Sequence, residues 1–244
     1  MSGQPQNIFD VSDLHVSYGK YEAVKGVSFT VAKGEIFGIV GESGSGKSTI
    51  AKTLIGLEKP SAGRIVKADV AVQMVFQDAV GSLNPRMTVR QTLTEAVKYG
   101  TGGRQCRFTV EELLSQVGLS QAVLGQYPRE MSGGQCQRVS IARALACCSE
   151  AIIADEPVSA LDVSVQARVL NLLRDLRRDL GLTIVLIAHD LAVVKNVCDR
   201  VAVMERGRFV DFGLSQDVFE HPQSDYTKRL LAAVPDISKC RAKA

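Results

Sequence analysis

The sequence lacks an excess of charge of either sign: 29 basic residues against 26 acidic ones leave a net +3. A nucleic-acid face usually shows as a basic stripe and a high isoelectric point, so the near balance argues against one. Long apolar runs are also missing. No stretch approaches the roughly 18 to 20 residues that cross a bilayer, so if the protein works at a membrane, another chain must supply the spans. The opening residues, MSGQPQNIFD, have neither a basic lead nor an apolar core and do not read as a signal peptide. No C-x-x-C pair occurs among the six cysteines, at positions 106, 136, 147, 148, 198 and 240. The adjacent pair Cys147-Cys148 falls in an expected helix, and the set reads as reduced thiols of a cytosolic protein rather than a metal site. With 244 residues, there is room for one large α/β domain and an inserted subdomain, and a core of that size needs no staple.

What the sequence does have is GESGSGKS, from Gly41 to Ser48. An apolar run, Ile36-Phe37-Gly38-Ile39-Val40, precedes it, and Thr49 to Ile55 follows with helical character. Strand, glycine loop and helix start, in the order G-x-x-x-x-G-K-S/T, define a phosphate-binding loop. Gly41, Gly44 and Gly46 permit torsions and close approaches that a Cβ forbids, so successive N–H groups can face one polyphosphate. The helix N-terminus adds partial positive charge. Lys47 reaches the terminal phosphates, and the Ser48 hydroxyl takes one position on Mg²⁺. The bland alternative is a glycine turn before a helix. The context on both sides favours a nucleotide.

Before the loop the pattern is β-like. Leu14 to Tyr18 and Val27 to Val31 alternate apolar and polar residues, with Gly19-Lys20 and Lys33-Gly34 as turns. This predicts an antiparallel flap. Tyr18 on that flap could stack on a base, and it could equally be a half-buried strand tyrosine.

After the loop, Ala68 to Phe76 reads as a strand ending at Gln77. Gly81, Asn84-Pro85, Gly100 and Gly102-Gly103 break the next segment into loops and short helices. Glu111 to Leu119 reads as an amphipathic helix with a glycine near its end. Residues of about 80 to 150 form a mostly helical insert in this reading. Within it, Ser132 followed by Gln135 matches a capping box, so a helix starts here and runs through Arg138, Ile141, Ala142 and Leu145. Its serine, two glycines and exposed N–H groups make a second anion-binding device. A single nucleotide has one terminal phosphate. The simplest resolution is that this device serves a nucleotide held by another copy of the domain.

Ala151-Ile152-Ile153-Ala154-Asp155-Glu156 is a short buried strand ending in two carboxylates. Strands of this kind suit a parallel sheet whose ligands gather at the carboxyl ends. Asp155 is placed to hold Mg²⁺ and Glu156 to poise a water as general base; a chance acidic pair is an equal alternative on this motif alone. Asp162 caps a helix with apolar positions Val165, Val169, Leu172, Leu173, Leu176 and Leu180, ending at Gly181. A buried strand from Thr183 to Ala188 then ends at His189. Its imidazole could meet a γ-phosphate or the attacking water, although a strand-end histidine is more often structural. Arg200 to Met204 and Arg208 to Val210 flank Gly207 as a hairpin, and helices around Asp217 to Phe219 and Tyr226 to Ala233 are separated by His221-Pro222.

The ordered set of GESGSGKST, Gln77, MSGGQ at 131 to 135, AIIADEP at 151 to 157, SALD at 159 to 162 and His189 resembles the ATP-binding subunit of ATP-binding cassette (ABC) transporters, over essentially the whole chain. The resemblance implies an α/β P-loop NTPase fold: a RecA-like core with a mostly parallel sheet, an antiparallel β flap and an inserted helical subdomain. In it, 1–244 is a single ABC ATP-binding domain, with 1–79 and 151–244 as core and flap and 80–150 as the helical subdomain carrying the signature. Two cassettes would close head to tail around two ATP molecules. Carried over by position, Tyr18 would stack on adenine, and Gly41, Glu42, Ser43, Gly44, Ser45, Gly46, Lys47, Ser48 and Thr49 would wrap the phosphates. Gln77 would contact Mg²⁺ or the attacking water and sense the membrane partner. Ser132, Gly133, Gly134 and Gln135 would complete the opposite subunit's site, Asp155 would serve the metal, and Glu156 would activate water. Asp162 would link the two sites, and His189 would touch the γ-phosphate.

Two departures stand out. Met131 replaces the usual leucine of the signature, a volume-conserving exchange. Cys136 stands where a basic residue is common and is expected to weaken surface contacts without removing a phosphate donor. The catalytic set is otherwise complete, which implies an active ATPase.

Further stretches, namely Phe76-Gln77-Asp78 with Ser82 to Met87, Asp162 to Ala167, His221-Pro222 with Tyr226-Thr227-Lys228, and Ala233-Val234-Pro235, are similar to the bacterial dipeptide, oligopeptide and nickel importers. ATPases of phosphonate-degrading complexes share them. The chain lacks the longer cysteine-bearing tail of many peptide-importing members, for which Cys240 alone is no substitute, and this leans towards nickel or metal-chelate systems. The resemblance implies ATP and Mg²⁺, and a second cassette, identical or paralogous. It further implies two transmembrane permease subunits, an extracytoplasmic binding protein acting indirectly, and a peripheral place on the cytoplasmic face of the inner membrane. The alternative is a cassette of a non-transport assembly, in phosphonate processing, DNA repair or translation. Relatives in the last two groups usually carry paired cassettes, coiled coils or zinc-bearing inserts, none of which occurs here, and no nucleic acid is expected.

Overall fold

A computed structural model describes residues 6–100 and 106–233. The opening residues, Gly102-Gly103, Val234-Pro235 and Cys240 lie outside the described residues.

Two sheets organise the chain. β1 (Asn7–Tyr18) and β2 (Tyr21–Ala32) form a hairpin that turns at Gly19, whose φ of 61° suits glycine. β4 (Ala62–Lys67) pairs antiparallel with the other edge of β1, giving the order β2-β1-β4. The larger sheet has the order β5-β6-β7-β3-β8-β9. Its members are β3 (Ile36–Val40), β5 (Val72–Val75), β6 (Ala151–Asp155), β7 (Thr183–Ala188), β8 (Arg200–Glu205) and β9 (Arg208–Leu214). All neighbours are parallel except β8 and β9, the expected hairpin around Gly207.

Every residue of β3, β6 and β7 is buried, as a parallel sheet covered on both faces requires. The period of two sorts them. Phe37 and Ile39, with Ile153, Val185 and Ile187, pack against the flap residues Phe9, Val11 and Phe29 and against α1 (Lys47–Leu54). Ile36 and Val40, with Ile152, Ile184 and Leu186, face the helical side. That side includes α2 (Val89–Tyr99), α3 (Val110–Gln116), α4 (Gly133–Ala146) and α5 (Val163–Leu180). The first three of these each begin with a complete capping box, Thr88/Gln91, Thr109/Glu112 and Ser132/Gln135, which satisfies N–H groups that a helix start would leave unpaired. α6 (Leu191–Lys195), α7 (Ser215–Glu220) and α8 (Asp225–Ala233) complete the fold.

Four local expectations need correction. The strand read from Ala68 to Phe76 is confined to Val72–Val75, because a tight turn with Val70 N–H donating to Ala68 O (2.8 Å) breaks the run. Asp162 occupies the N-cap of α5 but its side chain makes no cap hydrogen bond; the Gln166 amide instead donates to Val158 O and Leu161 O. α4 ends at Ala146, so Cys147 is its C-cap and Cys148, at φ 53°, lies past the helix. Cys136 is not a surface residue. It is fully buried, with its thiol directed at Pro128 O (3.5 Å), and burial raises its pKa. A basic side chain there would have to leave the core, so the exchange bears on packing rather than on surface contacts.

Among the described residues, no helix is long and apolar enough to cross a membrane.

Candidate functional site

Parallel pairing brings several chain ends to one sheet edge. In register, Val40 of β3 pairs with Ala188 of β7, and Asp155 of β6 with Ile187 of β7. The residues that follow these strands, Gly41, Glu156 and His189, therefore emerge together, with Gln77 just beyond β5. This is the edge at which open α/β sheets bind ligands.

The glycine loop is shaped by contacts that exclude side chains. Gly41 has φ 155°, and a Cβ there would lie 2.1 Å from Met204 O. At Gly46, φ is 111° and a Cβ would lie 2.5 Å from Ala23 O. Gly46 is also the N-cap of α1, which has no side-chain cap, so the first N–H groups of that helix remain available to an anion. Gly46→Ala combines left-handed strain of roughly 1–3 kcal/mol with that clash. ATP affinity is expected to fall about tenfold or more, measurable by titration calorimetry; an unchanged affinity would contradict the cradle.

Lys47 is buried, at 4% exposure. Its ammonium donates to Gly41 O (2.7 Å) and Glu42 O (2.8 Å). Burial lowers its pKa, and Glu156, Asp155 and Glu42 act in the opposite direction. The Ser48 hydroxyl donates to Asp155 Oδ1 at 3.0 Å. Burial raises the pKa of Asp155, against the Ser48 hydrogen bond. A hydroxyl and a carboxylate side by side are the hard oxygen donors that Mg²⁺ takes alongside phosphate and water, so the donor set fits that ion.

Glu156 sits at φ 45°, an uncommon conformation for a residue with a side chain, and its N–H donates to Ile187 O (3.0 Å). Its carboxylate accepts from Gln77 Nε2 (3.1 Å), and His189 Nδ1 stands 3.6 Å from the same oxygen. Gln77 also donates to Ser159 Oγ (3.3 Å).

A cleft of about 560 Å³ opens onto these groups and is lined by Tyr18, Glu42, Ser43, Gly44, Gly46, Lys47, Ser48, Thr49, Gln77, Glu156 and His189. Tyr18 is 45% exposed, on the flap edge of the cleft. Gly41 and Ser45 do not line it, and Asp155 reaches it through Ser48. Ser132, Gly133, Gly134, Gln135 and Asp162 do not line it either. They belong to a separate constellation, where a Cβ on Gly134 would meet Val165 Cγ1 at 2.4 Å and one on Gly133 would meet Leu161 at 3.3 Å.

Sequence reasoning missed two residues. Tyr21, 60% exposed and paired across the flap with Tyr18, lines the same cleft with its hydroxyl 3.5 Å from Gly44 O; the two-residue turn after Tyr18 was the available signal. Tyr226, far along the chain, accepts a hydrogen bond from Glu42 N–H (3.0 Å); the sequence marked it only as part of an importer-like stretch, with no sign of its contact with the loop.

The cleft, the glycine cradle and the carboxylate of Glu156 are an arrangement that can accept a polyphosphate and a water. A family profile described as ABC transporter matches residues 24–159. The oligopeptide transport ATP-binding protein OppF of Lactococcus lactis subsp. lactis is 47% identical over 238 residues, which span 90% of this chain and 74% of that protein. Among solved structures, cbiO1 from Clostridium perfringens, part of the ABC transporter complex cbiONQ, has a TM-score of 0.80 at 27% identity, covering 98% of this chain and 100% of the other. The ATP-binding cassette MJ0796, in a dimeric post-hydrolysis state bound to ADP and Pi, has a TM-score of 0.72 at 28% identity, over 85% and 98% of the two chains. The chain belongs to the ABC transporter family, with the P-loop NTPase fold, and is one of its ATP-binding, ATP-hydrolysing proteins.

Proposed function

We propose that this ATPase drives a bacterial peptide importer, as one of two cassettes that close on ATP at the cytoplasmic face of the inner membrane against two permease subunits. The similarity to an oligopeptide transport protein favours the peptide reading over the nickel or metal-chelate one. In this reading the whole chain is one ABC ATP-binding domain, with 80–150 as its helical subdomain. The observation that carries the proposal is the division of the phosphate-binding groups. Lys47, Ser48, Gln77, Glu156 and His189 share one cleft, while the capped tip of α4 lies outside it. A second copy, or a paralogous cassette, would bring its Ser132, Gly133, Gly134 and Gln135 to the exposed side of the triphosphate, with Asp162 beside the junction. The dimeric cassette bound to ADP and Pi supports that arrangement.

Within the closed site, Tyr18 stacks on the base and the loop from Gly41 to Thr49 wraps the phosphates. Lys47 exchanges its carbonyl acceptors for phosphate oxygens. Ser48 and Asp155 would hold Mg²⁺, which would supply charge neutralisation on the phosphates. Glu156 accepts the proton of the attacking water, Gln77 fixes that carboxylate, and His189 donates to the γ-phosphate. Positioning and charge neutralisation supply the catalysis. Hydrolysis then depends on closure, which lets ATP move the permease between shapes.

The test is purification from solubilised membranes followed by uptake in vesicles. Copurification with permease subunits, and peptide uptake that requires both this chain and ATP, is the expected result. Recovery without any permease, with peptide uptake undiminished when the chain is absent, would overturn it.

A further inference from the structure

One peptide plane links the C-terminal helix to the phosphate-loop lysine. Its carbonyl is that of Gly41, which accepts from Lys47 Nζ at 2.7 Å. Its amide is that of Glu42, which donates to the Tyr226 hydroxyl at 3.0 Å. The lysine and the tyrosine therefore hold opposite ends of a rigid unit that cannot rotate without breaking one of the two bonds. No side chain fits at Gly41, where a Cβ would lie 2.1 Å from Met204 O.

Tyr226 is in turn firmly placed. It is 7% exposed and packs in the helical-side core, and burial raises its pKa, so the phenol is neutral. Asp211 of β9 anchors the start of α8 by accepting from Gln223 N–H and Ser224 N–H, both at 3.0 Å, and from the Thr227 hydroxyl. Thr227 is fully buried. Burial pushes Asp211 up, and the hydrogen bonds from Thr227, Ser224 and Gln223 outweigh it, so this carboxyl sits below its ordinary value and remains charged as an acceptor. The path runs from Asp211 through the turn into α8, through the Tyr226 hydroxyl to the Gly41 to Glu42 peptide, and on to Lys47. Tyr226 does not line the nucleotide cleft, so any effect it has on ATP passes through the loop.

We infer that Tyr226 is a positioning residue of the ATPase: its hydroxyl locks the Gly41 to Glu42 peptide plane, and through that plane helix α8 sets where Lys47 rests and how tightly ATP is held. The inference rests on the reading that Lys47 grips the terminal phosphates. Without the hydroxyl, the Glu42 amide loses its acceptor and the peptide turns to find another. The Gly41 carbonyl moves with it, and Lys47 is no longer held in one place before nucleotide binds, so its ordering is a cost of each binding event.

The experiment is a double-mutant cycle on the full chain with Tyr226→Phe, Lys47→Ala and the pair. It reads equilibrium binding of a non-hydrolysable ATP analogue, the melting temperature of the unliganded protein, and exchange of the Glu42 amide. Tyr226→Phe keeps the buried ring. It is expected to weaken analogue binding about fivefold to tenfold and to speed exchange at Glu42, with the melting temperature within about 2 °C of the parent. In the Lys47→Ala background the same change is expected to add less than about twofold, because its route to the phosphates has been removed. Binding by Tyr226→Phe equal to that of the parent, or the same factor recurring in the Lys47→Ala background, would overturn the inference while leaving the phosphate reading intact. Unweakened binding by Lys47→Ala would instead overturn the phosphate reading and the inference together.

Discussion

Glu156→Gln should stop turnover and spare binding: phosphate release is expected to fall by about 10²- to 10⁴-fold, the usual worth of a general base, with ATP affinity close to that of the parent. The substitution keeps size and shape. It also keeps an oxygen to accept from Gln77 Nε2, so the arrangement beyond β6 survives. What it removes is the negative charge and basicity that take a proton from water. The left-handed backbone at position 156, φ 45°, explains why the carboxylate faces the cleft instead of continuing the strand's alternation. Burial of Lys47 and of Asp155 beside it marks a poorly hydrated site, where a single positioned charge counts for more than it would in water. Single-turnover phosphate release beside equilibrium ATP binding separates the two effects. Phosphate release unchanged from the parent would show that another group activates the water.

Gly134→Val should also abolish turnover, from outside the chain's own cleft. Gly134 lies in the first turn of α4, and even a methyl group there would sit 2.4 Å from Val165 Cγ1 of α5. Valine must push the α4 tip away from α5, an overpacking cost of about 1–3 kcal/mol. It thereby displaces the N–H groups and the Ser132 hydroxyl that would face a partner's triphosphate. Loss of one preorganised donor set typically costs about 10²- to 10³-fold in rate, and a fall of that order is expected. ATP binding by the variant chain should persist, since no residue of α4 lines the cleft. A loss of ATP affinity parallel to the loss of turnover would contradict this and place the signature in the chain's own site.

Local rules made much of this legible beforehand. The cradle could be read because its chemistry forces glycine at Gly41 and Gly46 and a lysine directly after, leaving few other uses for such a string. The strands β6 and β7 could be read because full burial on both faces needs uninterrupted apolar runs, and α4 because Ser132 and Gln135 cap each other. β4 could not. Its residues are mostly exposed and it pairs only at the edge of β1, so no hydrophobic alternation marks it. The Asp155 and Glu156 pair was ambiguous until the register of β6 on β7 set it beside His189. Tyr226 was illegible for a different reason: its partner Glu42 is 184 residues away, and only the packing of the C-terminal helix brings them together. Cys136 misled because the basic residue common at that place in the family suggested a surface site, whereas α4 is buried around most of its circumference.

Coupling of hydrolysis to closure requires that two cassettes share each nucleotide. The direct measurement is the solution mass of the Glu156→Gln protein with ATP, by sedimentation at rising concentration and with its membrane and cassette partners present. An ATP-dependent two-cassette species, absent with ADP and abolished by adding Gly134→Val, is the predicted result. A strictly monomeric ATP-loaded protein under all of those conditions would contradict it.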